Sequence, residues 1–148
     1  MIFGIGTDII EIERVKNAIK KNDRFLDRMF TPHEIEYYKL RKYKAESIAA
    51  GFAAKEAVLK SLGTGLSGFT WKDIEILRLK VGKPIVRFSG AVKDFIDANG
   101  IGEIHISISH SKHFAVANAV AELTLEREGQ LIENLLMANE KDGGRNIH

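Results

Sequence analysis

The 148-residue chain is 45% hydrophobic, carries a formal net charge of +2 and contains no cysteine, which suits one domain with a substantial core. Without cysteine it can form neither disulfides nor thiolate zinc sites. No apolar run approaches a membrane span, and the opening MIFGIGTDII lacks a charged region and cleavage site, so a cytoplasmic protein with no membrane contact is expected.

Residues 2–8, IFGIGTD, read as a short buried strand ending at an acid. A basic amphipathic helix is expected to follow to about Phe30, with Asn22–Asp23 as a candidate break. TPHE at 31–34 carries three agreeing helix-start signals: Thr31 as cap, Pro32 at the first helical position, and Glu34 completing a T-x-x-E box. That helix runs through Leu40. An alanine-rich helix then spans 45–62 and ends in the glycines of GTGLSG. DIEILRL and PIVRF are strands joined around Gly82–Lys83, and SGAVKDFIDANG is a short helix capped by Ser89 and stopped by Gly100. EIHISIS alternates, with Ile104, Ile106 and Ile108 on one face and His105, Ser107 and Ser109 on the other. HFAVANAVAEL pairs back on it across His110, Ser111 and Lys112. Helices early and an antiparallel sheet late define an α+β class. From Thr124 one more amphipathic helix is expected, and GGRNIH is read as a disordered tail.

Charge is unevenly placed. From Arg14 to Lys44 there are ten Lys/Arg against four Asp/Glu, leaving the rest of the chain net acidic. Arg14, Lys21 and Arg28 recur every seven residues and share a face if the helix is continuous, opposite Ile12, Val15, Ile19, Leu26 and Phe30. Such a stripe is either a solvated face or a dock for an acidic partner. Nucleic acid is not expected, because no interleaved aromatics or binding motif accompany the patch.

The alanine-rich helix poses the sharpest question. Ile48, Phe52, Leu59 and Leu62 form an apolar stripe, widened by alanines and Val58, yet Lys55 and Glu56 stand side by side in its middle. Buried charges need a partner, a metal or a ligand. An i,i+4 pair between Glu56 and Lys60 is one answer for Glu56; a bound ligand is the other. Lys55 is left with a carboxylate such as Asp8, or with a stem that snorkels to solvent.

Asp8 after GIGT and SHSK at 109–112 are the other polar clusters. Alone, Asp8 reads as a helix cap and His110 as a surface histidine. GIGTD does not match G-x-G-x-x-G, GTGLSG lacks a P-loop lysine, and nothing suggests a Ser/His/Asp hydrolase. Together, two carboxylates with no cysteine and few histidines suit a hard cation, Mg²⁺ above Zn²⁺. Mg²⁺ takes one or two protein carboxylates, then waters and substrate phosphates. Lys60 lies one turn beyond Glu56, and Ser109, His110 and Ser111 offer short donors. Phosphate chemistry is the class expected.

Four segments carry a family likeness: GIGTDIIEIERV, FAAKEAVLKSLGTG, GKPIV and ISISHSKHFAVA, in that order and at family-like spacing. On these the chain resembles the holo-acyl-carrier-protein synthase family, the 4′-phosphopantetheinyl transferases of bacterial fatty-acid synthesis, over residues 1 to about 122. The resemblance implies an antiparallel sheet packed on a long central helix, assembled as a homotrimer with active sites between subunits. It places a transferase domain at 1–122 and leaves 123–148 as a helical extension and tail.

The implied activity is Mg²⁺-dependent transfer of 4′-phosphopantetheine from coenzyme A to a serine of apo-acyl carrier protein, releasing adenosine 3′,5′-bisphosphate. The resemblance makes Asp8 and Glu56 the metal ligands and, with Lys60, the catalytic set. It places Gly63, Thr64 and Gly65 near the nucleotide, and Ser109, His110 and Ser111 on the coenzyme A phosphates. The carrier protein would dock on the basic segment, at Arg14 and Lys21 with Arg24 and Arg28. One position departs. Related sequences carry Arg, contacting a coenzyme A phosphate, where this chain has Gly51, so Lys42 or Lys44 is expected to substitute. The alternative reading is a scaffold that binds coenzyme A or a carrier protein without turnover.

Overall fold

The first strand is longer than its sequence suggests. In the computed structural model, which describes residues 1–142, β1 runs Ile2–Glu11. Ile9 and Ile10 stay in the ladder opposite Val116 and Ala115, as β-branched side chains favour. Helix α1 (Ile12–Lys21) therefore starts four residues after Asp8 with Glu11 at its cap position, and Asp8 is not the cap. The break at Asn22 is real: its backbone turns extended and its side-chain oxygen accepts from the Arg24 amide at 3.0 Å, a local bond that competes with helix. A short α2 (Phe25–Met29) follows. Arg14 and Lys21 thus lie on α1, whereas Arg24 and Arg28 lie beyond the break, and the seven-residue stripe is not one helix face.

Helix α3 (Pro32–Leu40) begins as expected, with Thr31 Oγ1 accepting from the Glu34 amide at 3.3 Å and Glu34 Oε1 from the Thr31 amide at 2.9 Å. The central helix α4 spans Ala45–Leu62. A 3-10 turn at Trp71–Asp73 leads into the ribbon β2 (Ile74–Arg78) and β3 (Pro84–Phe88), then α5 (Gly90–Ala98). Ser89 sits at the cap position of α5, but its side chain makes no capping bond. Strands β4 (Ile101–His110) and β5 (Phe114–Leu123) close as a hairpin, with the Ser111 amide donating to Phe114 O at 2.8 Å.

The main sheet has the order β1-β5-β4, antiparallel throughout, and α4 lies across one face of all three strands. That face is built from small residues. Ala115, Ala117, Ala119 and Ala121 of β5 are fully buried. On β1, a Cβ at Gly6 would stand 1.8 Å from Ala57 O, and one at Gly4 2.0 Å from Ser61 O. Main chain therefore meets main chain along this seam. Apolar clusters flank it: Val58, Leu59 and Leu62 meet Ile74, Val92 and Ile104, while Ile48 and Ala49 meet Val15, Phe30 and Tyr38.

The opposite sheet face carries Ile5 and Ile9, each 64% exposed, with Phe114 beside them. Helix α6 (Leu125–Asp142) follows β5, with Glu128 accepting from the amino terminus at 2.8 Å. The GGRNIH tail lies outside the described residues. Among the described residues no helix is long and apolar enough to cross a membrane.

Candidate active site

The glycine seam delivers an acid to the helix. Asp8 lies in register with Ala117 and Ile108 on the helix-facing side of the sheet, two residues beyond Gly6. Lys60 Nζ donates to Asp8 Oδ1 at 3.0 Å and to Thr7 O at 2.9 Å. Lys60 thus reaches across to β1, and the intrahelical pair with Glu56 does not form. Glu56, one turn earlier on α4, is half-buried. Burial and the charge of Asp8 push its carboxyl up, while Lys60 opposes the shift. A half-buried carboxylate beside a second one at a strand–helix junction is a donor set that a hard cation suits. Among the described residues no third acid or imidazole joins them to complete a metal cage.

Lys55 belongs elsewhere. It has no exposed surface and points away from Asp8, donating to Glu34 Oε1 at 2.6 Å, Met29 O at 2.7 Å and Trp71 O at 3.1 Å. Its stem does not reach solvent. Burial holds its ammonium below the ordinary lysine range, with Glu34 opposing. Glu34 Oε2 also accepts from the Ile76 amide at 3.0 Å.

Gly63 ends α4 in the left-handed region (φ 74), and Thr64 and Gly65 follow, so this loop starts three residues after Lys60. The serine–histidine cluster stands apart. His110 is in register with Ala115 and hence Ile10, one row beyond Asp8 and two strands across. Its Cα is therefore roughly 12 Å from that of Asp8, from strand spacing and rise. Two adjoining cavities open beside it. One of about 490 Å³ is lined by Tyr37, Arg41, Ser47, Arg78, Lys80 and His110, among others. The second, about 670 Å³, is lined by Arg41, Lys44, Glu46, Ser47, His110 and Ser111. Lys44 and Ser111 are thus beside His110. Lys42 is on neither wall, and Ser109 is exposed outside them.

Gly51 turns inward. A Cβ there would stand 1.9 Å from Tyr38 Oη and 3.4 Å from Phe30 Cε1, so a long side chain at this position has no room beside Tyr38. Arg41, Ser47, Arg78 and Lys80 were not singled out from sequence. For the three cations the signal was the LRKYK and RLKVGK runs, which periodicity alone reads as solvated turns.

The sequence profile of the 4′-phosphopantetheinyl transferase superfamily matches residues 4–119, spanning both polar clusters. The chain belongs to this superfamily. A holo-[acyl-carrier-protein] synthase of Clostridium botulinum is 54% identical over 123 residues, covering 83% of this chain and 99% of that protein. Among solved structures, the holo-[acyl-carrier-protein] synthase of Neisseria meningitidis superposes with a TM-score of 0.77 at 33% identity, over 82% of this chain and 99% of the other. That of Helicobacter pylori, in complex with coenzyme A, gives 0.71 at 36% identity over 80% and 99%. The superfamily match ends before α6, which is additional to it.

Proposed function

We propose that this phosphopantetheinyl transferase moves the 4′-phosphopantetheine group of coenzyme A to a serine hydroxyl of an apo-acyl carrier protein. The observation that carries the reading is the junction of Asp8, Glu56 and Lys60 across the glycine seam, in a chain of this superfamily. The serine oxygen forms a new bond to the phosphorus bearing pantetheine. The bond from that phosphorus to the bridging oxygen breaks, and adenosine 3′,5′-bisphosphate leaves. Asp8 and Glu56 would hold Mg²⁺, which when bound supplies positive charge against the pyrophosphate. Glu56 or Asp8, directly or through a water, accepts the serine proton. Lys60, half-exposed, turns from Asp8 to the leaving phosphate and neutralises it. Gly63, Thr64 and Gly65 border the nucleotide, and His110 with Lys44 and Ser111 bind phosphate.

The exposed apolar face of β1 and β5 supports assembly as a homotrimer, with the His110 cavities of one protomer beside the acids of the next. The exposed cations of α1 support docking of an acidic carrier. Residues 1–122 form the transferase domain, and the segment after them is an extension.

The test is incubation of the protein with coenzyme A, Mg²⁺ and apo-carrier, read by intact mass. A carrier heavier by one phosphopantetheine is expected. Asp8→Ala and Glu56→Ala should each abolish the product while melting as cooperatively as the parent. Binding of coenzyme A without product would leave only the scaffold reading, and full activity in excess chelator would remove the metal assignment.

A further inference from the structure

Helix α6 keeps its apolar side in solvent. Placed at about 100° per residue, Leu125, Leu131, Ile132, Leu135 and Leu136 fall within one arc of about 140°. Leu135 and Leu136 are 62% and 61% exposed, and Ile132 44%. Glu128 is the only charged side chain inside the arc among residues 125–138, and the chain's own amino terminus takes it at 2.8 Å. A lone helix of this length is marginal in water, and most helical stability comes from packing such a face. The arc is wider than the narrow seam of a two-stranded coiled coil and suits a helix with more than one neighbour.

The base of α6 is fixed to the sheet. Only Thr124 separates it from β5. The Thr124 amide donates to Gly100 O at 2.8 Å, and its Oγ1 accepts from the Arg127 amide at 3.3 Å. The Leu123 amide donates to Met1 O at 2.9 Å. The Arg127 stem packs on Gly100, leaving 2.6 Å to a Cβ placed there. The helix therefore leaves the sheet in a set direction, and from β5, the middle strand. The outer face of β5 and β1 exposes Ile5, Ile9 and Phe114, and exposed Ile2 and Met1 carry apolar surface from Ile5 to the base of α6.

We infer that the occupant of this arc is a second copy of this chain: in the assembled protein the α6 helices of neighbouring protomers run side by side in parallel, arc against arc. They continue beyond the sheet the contact made by β1 and β5. The inference rests on the assembly reading above, and it gives a task in that assembly to a helix the superfamily match does not reach. Charge argues against other occupants. Outside the arc, Glu126 and Glu133 stand against Arg127 alone among residues 125–138. Such a polar side draws neither an anionic lipid surface nor an acidic protein. The two acids lie roughly 130–150° from the centre of the arc, so copies meet there without bringing them together.

The chain contains no cysteine, so one introduced thiol in the full chain reports the contact. Parallel helices around a rotation axis bring identical positions together. Leu135→Cys should therefore form interchain disulfides on mild oxidation. Gln130→Cys, on the opposite side of α6, should cross-link at least about tenfold less, because a disulfide tolerates little separation. In sedimentation equilibrium, Leu135→Glu combined with Leu136→Glu should raise the protomer concentration of half-dissociation by at least about tenfold. Both positions are exposed, so the protomer should keep its fold, and circular dichroism verifies that. Ile5→Lys, on the sheet face, should weaken the same assembly. Equal cross-linking of the two cysteine variants, or unchanged assembly of the double variant, overturns the α6 assignment while leaving assembly through the sheet intact. A wild type that stays monomeric, or an Ile5→Lys variant that assembles as wild type does, overturns the assembly reading itself.

Discussion

Lys55 shows how a charged residue can be structural beside a functional one. Its ammonium ties α4 to the carbonyl of Met29, the carboxylate of Glu34 and the carbonyl of Trp71, in three separate segments. Replacing a buried pair with apolar residues can be neutral, but removing one partner leaves the other uncompensated. Lys55→Met should therefore cost roughly 3–5 kcal/mol in denaturant unfolding. Adding Glu34→Gln should recover part of that loss, because the orphaned charge disappears. A loss under about 1 kcal/mol would mean the tie is dispensable. The sequence flagged the buried charge but not its partner. Asp8 was the expected acid, and no local periodicity connects position 55 to Glu34 on another helix.

At the scale of elements, α3, β2 and β3 are joined by a polar chain. Thr31 Oγ1 donates to Glu75 Oε2 at 2.5 Å, Arg87 lies against the same carboxylate, and His33 stands 3.7 Å away. Burial alone would raise the Glu75 carboxyl. The hydrogen bonds from Thr31 and Arg87, with the charges of Arg87 and His33, outweigh it and hold the group below the ordinary glutamate range. The unfolded chain then binds this proton more readily than the folded one. The stabilisation is thus complete above the ordinary glutamate value and is lost as pH falls through the depressed one. Glu75→Gln should flatten the decline in melting temperature below about pH 4.5 relative to wild type, and parallel curves would show that other carboxylates govern it. Much at this scale was legible in the sequence: the capping box at Thr31, the bounds of α4, and the alternation of Ile104, Ile106 and Ile108. These signals are local, since caps and periodicity act within one or two turns. The extra length of β1 and the inward turn of Gly51 were not legible, because Val116 and Tyr38, which decide them, are distant in sequence or on another helix.

For the molecule as a whole, charge and apolar surface divide the work. Arg14 and Lys21 are exposed on α1, and the reading above gives them an acidic carrier. Arg14→Glu combined with Lys21→Glu should raise the KM for carrier about tenfold or more at low salt and weaken its salt dependence, because attraction of this range is screened within about 10 Å at 0.1 M salt. The KM for coenzyme A should stay within about twofold. Initial rates against each substrate at two ionic strengths check this, and equal losses for both would indicate a shared site or damaged fold. The polar clusters were legible as a family pattern, but their spacing was not, since it depends on a sheet register set by pairs more than a hundred residues apart. The glycine seam bears on how such a site can change over generations. Where α4 rests directly on the main chain of β1, the smallest available substitution at position 4 or 6 already exceeds the space present. No graded series of side chains leads away from the present spacing of Asp8 and Glu56. A lineage can alter the loops, the basic helix and the cationic cavity by single small steps. The distance between the two acids can drift only if the whole helix shifts at once, which makes it the slowest-moving dimension of the protein.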